Sequence, residues 1–188
     1  MNRNGFDIGE YVSYGINGMC NIEDIRPMQL SQSVEKMMYY ILRPESNPKS
    51  TIFVPVNNQK LVSKMRELMT KDEINAMLVR MKDRTLEWEK DVRFRTESFH
   101  EILNNGVNQD LILMIRCLHR KRQELVQLGK KLPARDSNTL KTAERLVEEE
   151  FAHVNMNKVI QMCLIHDLGE AFTGDIPTFL KTGADSAK

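Results

Sequence analysis

The chain has 188 residues, of which 41% are apolar and 28% are charged, and its formal net charge is +1. This composition is ordinary for a globular protein and argues against a disordered chain. The small net charge excludes a globally basic nucleic-acid binder, although it allows a local basic patch. No apolar run approaches the ~20 residues of a membrane span, and the N-terminus has no apolar signal segment, so we expect a cytoplasmic protein.

The first third of the chain predicts an antiparallel sheet. Short stretches rich in β-branched and aromatic residues alternate with turn formers such as the glycines at 15–18 and the prolines at 44–50. The strand-like stretches are EYVSYG, GMCNIEDI, KMMYYILR and STIFVPV. A small SH3-like or Tudor-like β-barrel over residues 1–62 fits this pattern, and such barrels commonly hold a partner.

The pattern of residues changes after Pro55, and we expect no further strand beyond that point. Thr70 and Glu73 form a predicted capping box at the start of a first helix. Further helices are predicted at about 85–103, from after Asn108, which can cap that helix, as far as Gly129, and at about 136–153. The fold class is therefore α+β, with an all-α domain over residues 63–154 and an extra C-terminal helix beyond it.

The cysteines predict neither a redox pair nor a zinc site. Cys20, Cys117 and Cys163 lie far apart and form no C-x-x-C pair. We expect them to be reduced and mostly buried, and we expect no cofactor.

Two quoted regions carry a resemblance to a known family. FDIGEYVSYGINGMCNIEDI and FVPVNN in the first domain, and TLEWEKDVRFR with NNGVNQDLILMIRCLHRKRQEL in the second, resemble the CarD and CdnL family of bacterial transcription regulators. The likeness runs over residues 6–154. It implies a barrel that binds the β subunit of RNA polymerase and a helical domain that contacts promoter DNA at the upstream edge of the bubble. It also implies a cytoplasmic, nucleoid-associated protein.

Trp88 occupies the position of the family tryptophan that enters the minor groove. An indole is a large flat apolar group, and such side chains exploit the partial unstacking of bases at a DNA junction. The alternative is that Trp88 simply packs between helices.

Basic residues near Trp88 are the predicted DNA contacts. Residues 116–135 carry seven basic side chains against one acid, and cations attract phosphates without reading sequence. The alternative is a solvated helix face. Our predicted DNA-binding residues are Trp88, Lys90, Arg93, Arg95, Arg116, Arg120, Lys121 and Arg122.

The predicted polymerase-binding residues lie in the barrel. Family members often use basic side chains there, whereas this chain has Met28 and Phe53 at the matching places. The resemblance therefore implies a more apolar interface, with Arg26, Thr51 and Phe53 as candidates.

The segment LIHDLGEAFTGDIPTF, residues 164–179, resembles a nucleotidase-type HD-domain phosphohydrolase. In that family the adjacent His and Asp, here His166 and Asp167, bind a divalent metal, and residues matching Glu170 and Asp175 position water and substrate. A catalytic metal site needs further ligands and support around them. His153 lies about 140° from His166 around a continuous helix and is a poor substitute.

We therefore expect residues 155–188 to be an incomplete HD-like tail, without catalytic residues and without bound metal. A fused or misjoined reading frame and a helix docked on the second domain are two explanations for it. The alternative function is a metal-dependent phosphohydrolase acting on nucleotides. A plain interaction module with no DNA role is a third, weaker possibility.

Overall fold

The structure is a computed structural model that describes residues 5–29 and 36–151. His166 and Asp167, together with the predicted tail and its helix, lie outside these residues. The described part contains an antiparallel sheet followed by helices, which confirms the predicted α+β class. Across those two ranges, no helix combines the length and the apolar character needed to cross a membrane.

Five strands form one sheet in the order β4-β3-β2-β1-β5, and neighbouring strands are antiparallel. Their bounds are β1 Tyr11–Tyr14, β2 Met19–Met28, β3 Met37–Pro44, β4 Ile52–Pro55 and β5 Met65–Glu67. The expectation that no strand follows Pro55 is wrong, because β5 pairs with β1. Its three residues are too few to show an alternating pattern, and the pairing partner lies far away in sequence.

Alternate strand residues form the core of the sheet. Val12, Cys20, Ile22, Leu42 and Val54 are all fully buried on the inner face. The pairing register of β2 and β3 shifts between Ile22 and Asp24, so the intervening Glu23 forms an irregularity of the bulge type.

The helices are α1 Gln59–Val62, α2 Lys71–Arg80, α3 Val92–Asn105, α4 Asn108–Gln127 and α5 Ala134–Glu150. The capping box of Thr70 and Glu73 is present at the start of α2, as predicted. The larger helices share one apolar core, whose fully or nearly fully buried side chains include Ile74, Met77, Leu111, Met114, Leu118, Ala143 and Phe151.

Two predicted helix starts are wrong. The second predicted helix begins at Val92 rather than at Thr85, because the Asp91 carboxylate accepts hydrogen bonds from the amides of Arg93 and Phe94. Trp88 consequently precedes the helix. Asn108 does not cap α4 with its side chain, since Val107 is the N-cap residue and the Asn108 amide donates to Glu150 instead.

The sheet contacts the helices at the turn after β1. Gly15 lies against the turn between α3 and α4, where a Cβ on Gly106 would lie 2.9 Å from the Gly15 Cα. Arg145 donates to the carbonyl of Ile16, and the amide of Met19 donates to the Glu149 carboxylate. α5 therefore holds the start of the sheet as well as the helical core.

Candidate functional site

Trp88 lies in an irregular segment, residues 82–91, that joins α2 to α3 and is called the tryptophan loop below. The indole is partly buried and packs against the core of the helical domain. Part of the Trp88 side chain therefore contacts the core, and the rest reaches solvent, where a partner could contact it.

Three arginines bind the backbone of the tryptophan loop and of the residue before it. Arg116 donates to the carbonyls of Met81 and Lys82, at 3.0 and 3.3 Å. Arg120 donates to the carbonyl of Leu86 at 2.9 Å, and Arg95 donates to that of Glu89 at 2.8 Å. The tryptophan loop is neither helix nor strand, so its carbonyls lack the regular N–H donors that such elements provide. The three guanidinium groups donate to some of these carbonyls instead.

Arg95 also stacks on the indole. Its guanidinium carbon lies 4.2 Å from the centroid of the Trp88 ring, and its Nε and Nη2 donate to the Asp136 carboxylate at 3.4 and 3.1 Å. Lys121 Nζ lies 5.5 Å from the same centroid. Cations over an aromatic face are attracted by the negative face of the ring.

Two of the predicted DNA contacts, Arg95 and Arg116, do not lie at the surface. Both are buried, with exposed fractions of 5% and 7%. A phosphate needs access to the guanidinium group, and these two groups already bind Asp136 and backbone carbonyls. The basic residues lie near Trp88 as the sequence indicates. A count of charges, however, does not distinguish cations that face solvent from cations that bind other groups of the protein.

The other predicted basic contacts remain at or near the surface. Lys90, Arg93 and Arg122 are exposed, and Arg120 and Lys121 are partly exposed. Lys121 forms an ion pair with Glu124 at 2.8 Å.

Arg122 has a hydrogen-bond partner on its own helix. It donates to Nδ1 of His119 at 2.7 Å, and Nε2 of that ring lies 2.8 Å from Glu144. Because Nδ1 accepts, Nε2 carries the proton and donates to the carboxylate.

Two exposed apolar residues close to Trp88 in sequence were not among the predicted site residues. Val92 and Phe94, in the first turn of α3, are 54% and 68% exposed. The Asp91 cap could have revealed them, since it fixes where α3 begins and therefore which face of the helix each residue occupies.

The outer face of the sheet carries the predicted polymerase-binding residues. Arg26 is paired with Tyr39 and Phe53 is paired with Ile41, so all four side chains point to the same side of β2, β3 and β4. Arg26 has a 58% exposed side chain and Phe53 is 38% exposed. Thr51, immediately before β4, is exposed too. The structure therefore brings Arg26 and Phe53 together on one face.

Charged groups also line that outer face. Arg26 lies 3.5 Å from Asp24, and Arg43 donates to both carboxylate oxygens of Glu23 at 2.8 and 2.6 Å. The hydrogen bonds from Arg43 lower the pKa of the Glu23 carboxyl. Glu23 is thus held as a carboxylate beside the candidate interface.

The described cysteines are free and buried, as expected from the sequence. Burial raises the pKa of the Cys20 thiol to about 12, and burial also raises the pKa of Cys117. Such thiols are poor nucleophiles and poor metal ligands. In the part of the chain that the structure covers, no three His, Cys, Asp or Glu side chains come together as a metal site.

One family model matches the part of the chain that forms the sheet. Residues 6–67 match the CarD-like/TRCF RID domain. This match covers all five strands, β1 to β5, and supports a polymerase-interacting domain at the level of the family. No curated protein matches the chain.

A second family model, the HD domain, matches residues 141–188. The match begins inside α5, so residues 141–150 belong both to the helical core and to the HD-like region. Residues 152–188 of the match, including the predicted metal ligands His166 and Asp167, lie outside the described residues.

Proposed function

We propose that this chain is a CarD-like transcription regulator that binds the β subunit of RNA polymerase and stabilises the open promoter complex. The sheet docks on the polymerase through its outer face, and the tryptophan loop engages promoter DNA at the upstream edge of the bubble. The observation that carries the proposal is the match of residues 6–67 to the CarD-like/TRCF RID domain. The protein works in the cytoplasm, associated with the nucleoid.

The outer face of the sheet supports the docking role by its chemistry. It offers one exposed aromatic side chain, Phe53, and one exposed cation, Arg26, on either side of a central strand. Aromatic residues and arginine are enriched in protein interfaces. β4 is also an edge strand, so its outer backbone groups are available to a partner strand.

Docking is tested by capture of bacterial RNA polymerase, or of its isolated β subunit, on the full chain. Phe53→Asp is expected to lose capture, because a carboxylate replaces an apolar contact. Val126→Asp is the matched control, since Val126 is 64% exposed on α4 and far from the sheet in sequence. Equal capture by both variants would remove the docking role of this face.

The DNA role is supported by the placement of Trp88 among cations. Lys90 and Arg93 follow Trp88 in sequence and are exposed, so they can attract phosphates while the indole contacts unstacked bases. Trp88→Ala is expected to shorten the lifetime of open complexes, and Val79→Ala, at an exposed position of α2, is expected to leave it unchanged. Unchanged lifetimes with Trp88→Ala would exclude the wedge.

We further propose that the chain acts by binding and not by catalysis, without a cofactor. The competing candidate is a metal-dependent nucleotide phosphohydrolase, favoured by the HD match at residues 141–188. It predicts that divalent metal binds, that phosphate is released from nucleoside monophosphates, and that His166→Ala abolishes both. A metal-free chain without this activity excludes it.

A plain interaction module is the remaining candidate. It predicts that promoter DNA binding is absent or independent of salt, whereas phosphate contacts make binding weaken as salt rises. A salt titration of binding to promoter DNA separates the two.

A further inference from the structure

We propose that Arg95, Arg116 and Arg120 are positioning residues that hold the tryptophan loop in the conformation in which Trp88 enters DNA, and that Arg95 and Arg116 do not contact phosphates. This inference rests on the proposed function of Trp88. The three arginines then act through hydrogen bonds to the loop, a role that their positive charge alone does not indicate.

The first argument is the position of the bonds along the loop. The arginines bind carbonyls at both ends of the tryptophan loop and near its middle: Arg116 at Lys82, Arg120 at Leu86 and Arg95 at Glu89. The bound residues closest to Trp88 in sequence are Leu86 and Glu89, one on each side of it. A loop fixed on both sides of an aromatic residue presents that residue in one orientation, which lowers the entropy lost on binding.

The second argument is the direct contact between Arg95 and the indole. The guanidinium carbon lies 4.2 Å from the ring centroid, so one face of Trp88 is covered by a planar group that can stack on it. Asp136 binds two nitrogens of that guanidinium and fixes its plane. The plane of the indole is therefore tied, through Arg95, to the first turn of α5.

The third argument is burial. The side chains of Arg95 and Asp136 are 6% and 4% exposed. Two charges buried in this way bind each other, and a phosphate cannot reach the guanidinium group. Arg93, two residues earlier, is exposed and provides the contrast. Two nearby positions of α3 thus differ in role: Arg95 is a structural cation, and Arg93 is a cation that can reach DNA.

The experiment uses the intrinsic fluorescence of Trp88, which is the single tryptophan of the chain. The test variant is the double substitution R95M/D136L, because removing both charges leaves no unpaired ion in the core, and replacing a buried ion pair by apolar residues is often neutral for stability. R93M is the matched control on the same helix. R120M, at a partly exposed position, is a second test variant whose folding does not depend on the buried pair.

Three quantities are measured on the full chain. We expect R95M/D136L and R120M to increase quenching of Trp88 by acrylamide, to lower its fluorescence anisotropy, and to shorten the lifetime of open complexes. R93M is expected to leave the fluorescence unchanged and to reduce the slope of log affinity against log salt by about one unit, as loss of one phosphate contact does. R95M/D136L is expected to leave that slope unchanged.

The outcomes separate the inference from the proposed function. If Trp88→Ala shortens the open-complex lifetime but R95M/D136L and R120M change neither fluorescence nor lifetime, the positioning role is overturned and the wedge stands. A reduced salt slope with R95M/D136L would make Arg95 a phosphate contact and would also overturn it. If Trp88→Ala leaves the lifetime unchanged, the wedge itself fails, and the positioning role for DNA entry fails with it.

Discussion

Arg66, in the last strand of the sheet, donates a hydrogen bond to the Glu150 carboxylate in the last turn of α5, over 3.3 Å. Glu150 also accepts from the Asn108 amide at 2.7 Å, so one buried carboxylate joins β5, α4 and α5. The same Arg66 nitrogen binds Ser13 and the Gly106 carbonyl. The sheet and the helices therefore share a polar contact in addition to their separate apolar cores.

Removing the Glu150 carboxylate is predicted to destabilise the protein. Glu150→Ala removes the carboxylate partner of the Arg66 guanidinium and the oxygen that accepts from the Asn108 side-chain amide, and breaking a buried charged pair costs about 3 kcal/mol. Urea unfolding of the full chain measures the loss of unfolding free energy. Glu148→Ala, at an exposed position of the same helix turn, is the control and is expected to change it by less than about 0.5 kcal/mol. Equal effects of the two substitutions would contradict a structural role for Glu150.

A side chain at Gly15 is predicted to separate the sheet from the helices. Gly15 has a φ of +51°, and a Cβ there would collide with the backbone carbonyl of Asn104. Gly129 has a φ of +68° with nothing nearby, so Gly129→Ala carries the conformational cost alone, about 1 kcal/mol. Gly15→Ala is expected to lower the unfolding free energy by clearly more than Gly129→Ala. Similar melting temperatures for both variants would refute the close approach.

Loss of the first-turn cap of α2 is predicted to weaken that helix. Thr70 accepts from the amide of Glu73, and the Glu73 carboxylate accepts in return from the amide of Thr70. Thr70→Ala is expected to lower the unfolding free energy by about 1 kcal/mol. Thr85→Ala, in the tryptophan loop, removes a threonine that caps no helix and serves as the control. Hydrogen exchange of the α2 amides shows whether the loss is local.

The ion pair of Arg43 and Glu23 predicts a pH dependence. Arg43 lowers the pKa of Glu23, so the folded protein binds a proton there less readily than the unfolded chain does. The pair therefore stabilises the fold above the unfolded pKa of Glu23, and this contribution is lost as pH falls through the lower folded pKa. Arg43→Met is expected to return the pKa of Glu23 toward its ordinary value. An NMR titration of the Glu23 side chain measures the pKa in both proteins, and equal pKa values would contradict the prediction.

Local sequence patterns predicted much of the fold. The four longer strands and the capped start of α2 follow from short-range signals, namely alternation, turn residues and the pairing of Thr70 with Glu73. β5 was not predictable in this way because its stability comes from β1, far away in the sequence. The start of α3 was misplaced because an apolar spacing around Trp88 imitates a helix, whereas the Asp91 cap decides where the helix begins.

The candidate site was predictable in position but not in chemistry. The sequence placed Trp88 and a group of cations together, and the structure places them together as well. Which cations face solvent depends on burial, and burial depends on partners such as Asp136 that lie on a distant helix. A count of charges contains no information about those partners.

α5 relates the position of the sheet to the position of Trp88. Its first turn carries Asp136, which holds Arg95 against Trp88, and its last turn carries Glu150, which holds Arg66 in the sheet. Fourteen helical steps separate the two acids, a rise of roughly 21 Å at ~1.5 Å per residue. The length and helical phase of α5 therefore fix the separation between its contact with β5 of the sheet and its contact with the arginine that covers the indole of Trp88.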